Sequence, residues 1–173
     1  VYNYHEAGKE FDFNHFYKFP EEYRGDFTKY LSVTDLFIAG AYWDPKAPVL
    51  FRREDLLKPD RKIQVIADIT CDIRGSVPST IRSTTIADPV FDYDPVSGQE
   101  KEAFSESDYV SVMAVDNLPS ELPQDASEEF GSSIISEILP YLINKDDGRI
   151  NRATTASNGK FCENFTYLNN FIN

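Results

Sequence analysis

The run Val65-Ile66-Ala67-Asp68-Ile69-Thr70-Cys71-Asp72 is short and mostly apolar, and it stops in Thr, Cys and Asp. A run of that length and composition fits a strand covered on both faces, which is the pattern of a parallel sheet. A second run, Val110-Ser111-Val112-Met113-Ala114-Val115-Asp116-Asn117-Leu118-Pro119, is built the same way. In open α/β sheets, ligands bind in the crevice beyond the carboxyl ends of the strands. The polar residues that close these two runs are therefore the first candidates for chemistry.

Working outward, Asp35-Leu36-Phe37-Ile38-Ala39-Gly40-Ala41 predicts a third buried strand. It ends at Tyr42-Trp43-Asp44-Pro45-Lys46-Ala47-Pro48, where two prolines forbid further pairing. Upstream, residues 1–4 read as a strand end, and residues 14–18 and 21–31 as two helical pieces. Phe27, Tyr30 and Leu31 recur at helical spacing and are expected to face the core. Residues 49–57 read as a turn and a short helix, and 72–79 as a loop with Gly75 and Pro78. Residues 80–93 predict an extended excursion or hairpin, with its turn at 94–98. A long helix follows Pro119–Pro123, with Ala126, Phe130, Ile134, Ile138 and Leu142 every four residues, and Pro140 should kink or shorten it. Residues 161–171 predict a last helix with Phe161, Phe165, Leu168 and Phe171 on one side.

Strand, helix, strand, excursion, strand, helix is α/β order. Doubly wound sheets normally have more than three strands, so the chain reads as the second half of one. The expected organisation is a partial Rossmann-like parallel sheet over 1–118, followed by a helical C-terminal segment over 119–173. The chain opens at Val1 rather than Met, which fits the same expectation of a piece of something longer.

Composition narrows the function. The net charge is −12, with 29 acidic residues against 17 basic ones, so phosphate backbones and anionic membranes are not expected partners. No apolar run approaches the roughly 18 residues of a membrane span, and no basic head precedes an apolar stretch. Two cysteines without a C-x-x-C make no disulfide framework, which favours a reduced, cytoplasmic setting. Asn164-Phe165-Thr166 matches a glycosylation triplet without secretory support.

The sequence contains no G-x-x-x-x-G-K-[ST], G-x-S-x-G, H-E-x-x-H or G-x-G-x-x-G. His5 and His15 have no second ligand at metal spacing, so no metal is expected and both read as surface or core-edge residues. Asp92-Tyr93-Asp94 begins like a calcium loop, but the later ligands do not follow, and it reads as a turn. What remains is three strand ends: Tyr42, Asp72, and Asp116 with Asn117. Two carboxylates and an amide on one rim could orient a carbonyl, an amine or a ribose hydroxyl. Equally, Asp72 could cap its loop and Asn117 could make an Asx turn into Pro119.

Ile66-Ala67-Asp68-Ile69-Thr70-Cys71-Asp72, Val115-Asp116-Asn117-Leu118-Pro119 and Leu122-Pro123 resemble the C-terminal half of the alanine dehydrogenase and saccharopine dehydrogenase superfamily. Tyr42–Pro48 with Thr84-Thr85-Ile86-Ala87-Asp88-Pro89-Val90-Phe91 and Glu128-Glu129-Phe130 resemble its L-lysine-forming saccharopine dehydrogenase branch, also called lysine–ketoglutarate reductase. The likeness runs over about 34–142. It implies an oxidoreductase that uses NAD or NADP to interconvert saccharopine with lysine and 2-oxoglutarate. By that resemblance, Tyr42, Ile69, Val115, Asp116, Asn117 and Leu118 would bind the cofactor. Thr70, Cys71 and Asp72 would face the substrate, with Asp72 catalytic. Cys71 reads more simply as a buried spectator thiol. The family's Lys/His acid–base pair and glycine-rich loop are not identifiable here. The chain alone is thus expected to be incompetent, to need an N-terminal substrate domain as partner, and to expose Phe161, Phe165 and Phe171 as a patch that could promote homo-oligomers. Two alternatives stay open. One is an alanine dehydrogenase-like enzyme, although that family carries Asp-Gln-Gly-Gly where this chain has Asp72-Ile73-Arg74-Gly75. The other is a non-catalytic α/β interaction module.

Overall fold

The computed structural model describes residues 3–172. The chain divides into two compact units, the first ending at Glu121 and the second beginning at Leu122. The first holds a five-stranded sheet of β3 (Leu36–Ala39), β4 (Val65–Asp68), β7 (Val110–Met113), β5 (Val90–Asp94) and β6 (Gln99–Lys101), in that spatial order. It also holds a two-stranded ribbon of β1 (Asn3–His5) and β2 (Tyr23–Gly25), and helix α1 (Phe13–Lys18). The first two residues of the strand end read over 1–4 lie outside the described residues.

The parallel expectation holds where it matters. β3 pairs parallel with β4, placing Ala39 opposite Asp68. β4 pairs parallel with β7, placing Ala67 opposite Met113. The sheet is mixed, because the excursion is a hairpin: β5 returns antiparallel to β7, and β6 pairs antiparallel with β5. Ile66, Val110 and Val112 are fully buried and Phe91 nearly so, and Phe51, Leu56, Ile63 and Val77 pack with them. Each such side chain stabilises the fold by about 1.5–3 kcal/mol relative to exposure.

Several expectations are corrected. One face of the parallel strands is open, so Leu36 and Ile38 of the edge strand β3 are 54% and 59% exposed, and Val65 on the internal strand β4 is 38% exposed, rather than covered on both faces. Asp92-Tyr93-Asp94 is strand, and only Asp94 opens the turn, where its carboxylate accepts from the Val96 amide and the Ser97 hydroxyl. The helix expected over 21–31 is a 3-10 turn at Pro20–Glu22, then β2, then a 3-10 turn at Thr28–Tyr30. Tertiary contacts override the helical spacing there. Tyr23 is fully buried, and a Cβ on Gly25 would meet the Val49 carbonyl oxygen at 2.6 Å. Phe27 and Leu31 are buried as expected, but Tyr30 is 37% exposed. The ribbon, α1 and the turn before β2 also bring His5, His15 and Glu22 together, a metal-capable group that linear spacing did not reveal.

The second unit contains α2 (Pro123–Ser133), a π turn at Ile134–Ile138, α3 (Leu139–Ile143) and α4 (Arg149–Ala153). Pro140 offers no N–H and crowds the carbonyl four residues back, and the π turn just before it is where the helix widens. Half-burial then moves to Tyr141 instead of Leu142. The Arg149 guanidinium lies 3.7 Å from the Tyr141 ring centroid and pairs with Glu137 and Asp147. β8 (Ala156–Ser157) and β9 (Lys160–Phe161) form a hairpin through Asn158 and Gly159, both at positive φ. That hairpin displaces the start of the expected last helix, which is a 3-10 segment over Glu163–Phe171. No described residue of this unit is buried.

Candidate functional site

The carboxyl ends of β3, β4 and β7 lie side by side on one edge of the sheet, as their parallel registers require. β4 ends in Asp68, which is 1% exposed. One carboxylate oxygen accepts from the Thr70 hydroxyl at 2.6 Å, the Thr70 amide at 3.1 Å and the Cys71 amide at 3.3 Å. The other accepts from the buried Thr80 hydroxyl at 2.6 Å. The chain beyond β4 is thus folded onto a buried anion, and the turn carries Cys71 into the left-handed region at φ +53°. Hydrogen bonds to a charged group of this kind contribute about 1.5–3 kcal/mol each.

Neighbouring strand ends are tied to this loop. The Cys71 thiol donates to the Ala114 carbonyl at 3.1 Å. The Thr84 amide donates to the same carbonyl at 2.8 Å, and the Ala114 amide donates to the Thr84 hydroxyl. On the other side, a Cβ on Gly75 would fall 2.5 Å from the Asp72 Cβ and 3.3 Å from the Trp43 ring, so the loops after β3 and β4 are packed together there.

Against that frame, Thr70, Cys71 and Asp72 are half-buried, and Ile69 is 48% exposed. Val115 is buried, Asp116 and Asn117 are exposed, and Leu118 begins a 3-10 turn, Leu118–Glu121. Tyr42 is 85% exposed. Among the described residues no hydrogen bond joins Tyr42, Asp72 and Asn117; they share an edge, not a contact network. The Asn117 backbone carbonyl accepts from the Ser120 amide, a β-turn through Leu118 and Pro119 that differs from an Asx turn made by the side chain. Burial pushes the Cys71 thiol up, and the charges of Asp116, Asp68 and Asp72 push it further, so it is not a ready nucleophile. Asp68 and Thr80 are the site residues sequence reading missed. An Asp two residues before a Thr at a strand end is the local signal for the first.

A cavity of about 740 Å³ opens on the β3 side, lined by Tyr42, Trp43, Phe11, Phe16, Phe37 and others. That volume falls within the usual range for small-molecule sites, and aromatic walls suit a flat ring. Of the predicted site residues only Tyr42 lines it; Ile69–Asp72 and 115–118 do not.

This is a mixed, largely parallel α/β sheet of Rossmann-like kind, with polar residues gathered at its carboxyl edge. Curated relatives match much of the chain. An alpha-aminoadipic semialdehyde synthase of Arabidopsis thaliana is 30% identical over 172 residues, covering 94% of this chain and 16% of that protein. The mitochondrial alpha-aminoadipic semialdehyde synthase of Bos taurus is 29% identical, covering 87% of this chain and 19% of the relative. The NAD(+)-named, L-lysine-forming saccharopine dehydrogenase of Neurospora crassa is 30% identical, covering 69% and 31%. The chain is homologous to saccharopine dehydrogenases of the L-lysine-forming type and to alpha-aminoadipic semialdehyde synthases, and it spans from about a sixth to a third of their length. No family model matches the chain.

Proposed function

We propose that this chain supplies the far half of the nicotinamide-nucleotide domain of an oxidoreductase that interconverts saccharopine with lysine and 2-oxoglutarate. The observation that carries this reading is the shared carboxyl edge of β3, β4 and β7, with Asp72 half-buried beside a loop pinned by Asp68. Bound NAD or NADP would supply hydride transfer at the carbon bearing the secondary amine. In this reading Tyr42, Ile69 and 115–118 hold the cofactor's near face, and Thr70, Cys71 and Asp72 face the substrate. Positive charge develops on the substrate nitrogen as hydride leaves, and a fixed carboxylate at Asp72 lowers the energy of that state. Water attack and proton transfer then fall to groups on an N-terminal substrate domain, against which the segment after residue 118 packs. The isolated chain is inactive on this account. Its two thiols are free, and the setting is cytoplasmic in this reading, whereas the bovine relative's name says mitochondrial; cell fractionation decides between the two.

The test is NADH oxidation by the natural full-length protein, with lysine plus 2-oxoglutarate compared with pyruvate plus ammonia. Turnover is expected with the first pair only. Asp72→Asn should lower kcat about 10²-fold or more, in line with loss of one electrostatic partner in a catalytic site. Turnover with pyruvate and ammonia alone would replace this assignment by an alanine dehydrogenase.

A further inference from the structure

We propose that His5, His15 and Glu22 form a binding site for a divalent transition metal, best suited to zinc or cobalt. Their candidate ligand atoms lie within 4.8 Å of one another. His5 Nε2 is 3.2 Å from Glu22 Oε2, and His15 Nε2 is 4.0 Å from the same oxygen. Two ligands bound at about 2.0–2.1 Å to a tetrahedral zinc stand roughly 3.3 Å apart. A small closure of the His15 and Glu22 side chains completes that triangle. Both are partly exposed, so solvent reaches the remaining coordination position.

The second observation concerns His5. It is 4% exposed, and its Nε2 makes no hydrogen bond, because the Glu22 carboxylate is near it but out of line. A buried ring nitrogen left unpaired and aimed at two other ligand groups is what a metal would satisfy. His15 is already oriented as metal-bound histidines are. Its Nδ1 lies 3.2 Å from the Tyr23 hydroxyl, which in turn donates to the Asp12 carbonyl at 3.3 Å. The hydroxyl oxygen thus accepts from Nδ1–H, and Nε2 keeps its lone pair toward Glu22. The buried Tyr23 ring packs against both imidazoles and restricts their rotation.

His5 sets the cost. The Ala7 amide donates to its Nδ1 at 3.1 Å, so without metal the ring proton sits on Nε2. Binding moves that proton to Nδ1 and turns the Ala7 amide to water. Ala7 is exposed in a turn, which allows the change.

The test is titration of the 173-residue chain with cobalt(II), followed by visible absorption, and of its melting temperature with zinc(II). One cobalt per chain is expected, with the ligand-field bands of a four-coordinate nitrogen–oxygen site that zinc displaces. His15→Gln and Glu22→Gln should each weaken binding at least about tenfold, with the circular dichroism spectrum unchanged. A Cys71→Ser/Cys162→Ser double variant should bind like the parent. These choices avoid replacing buried His5, whose loss could unfold the ribbon. No bands, equal affinity in the Glu22→Gln chain, or thiolate charge-transfer bands lost in the double-serine variant would each overturn the site.

Discussion

The sheet before Glu121 and the helices after it show how differently apolar residues can be used in one chain. In the sheet, Ile66, Val110, Val112 and Phe91 are at most 1% exposed. In the second unit, Phe130, Ile135 and Ile143 are 64–71% exposed, and no described residue is buried. Periodicity names the apolar side of an element in both regions. Burial needs a second layer, and in the first unit Phe27, Leu31, Phe51, Leu56 and Val77, from turns and loops outside the sheet, supply it. The stripe on α2 marks a face, not a core.

The strongest way to break this contrast is a pair of truncations. Ile66→Ala should cost about 3 kcal/mol, as large-to-small changes in a filled core do. Phe130→Ala should change stability by no more than about 0.5 kcal/mol. Urea unfolding of both variants measures this, and equal costs would mean the second unit has a core after all. Next comes the buried anion. Asp68→Asn should cost about 2–3 kcal/mol, because it weakens charge-assisted bonds from Thr70, Cys71 and Thr80. Hydrogen exchange should quicken most at the Thr70 and Cys71 amides.

A smaller effect sharpens the contrast within the sheet itself. Burial opposes ionisation of Asp92, but bonds from the Ser111 hydroxyl and from the Phe104 and Ser105 amides outweigh it and hold its carboxyl below the ordinary value. A lowered carboxyl stabilises the native state above its unfolded value of about 3.9. That contribution is lost as pH falls through the lower native value. Ser111→Ala should therefore cost about 1.5 kcal/mol at neutral pH. Asp92→Asn should flatten the fall of the urea midpoint between about pH 5 and about pH 2. A more local effect is expected at the hairpin of the second unit. Gly159 sits at φ +75° with open space around it, so Gly159→Ala should cost about 1 kcal/mol from backbone strain alone. Chemical-shift changes should stay within residues near the hairpin.

Much of the sheet was legible because β4 and β7 are short and largely apolar, although only one face of each is fully covered, by Ile66 and by Val110 with Val112, while Val65 on the other face is 38% exposed. The turn at Asp94–Gly98 was legible because its residues demand it. Residues 21–31 were not, since the strand there depends on Tyr23 packing with aromatic rings from α1 and on Gly25 meeting the chain near Val49. Asn158-Gly159 carries a strong turn signal, but its flanks are two residues long and do not alternate, so no strand drew attention to it. The π turn shifts half-burial from Leu142 to Tyr141, and a four-residue rhythm cannot anticipate an inserted residue. At the candidate site, strand-end positions such as Asp72 and Asp116 followed from the run lengths. Asp68 did not, because its decisive partner, Thr80, is twelve residues away and is brought back only by the loop.

The open flank of β3 bears on how this polypeptide behaves in the test tube. Among the described residues its backbone has a ladder partner on one side only, and Leu36 and Ile38 are largely exposed. A bare, greasy rung of this kind templates further rungs. Light scattering of concentrated stocks should therefore rise with concentration, and Ile38→Lys should suppress the rise.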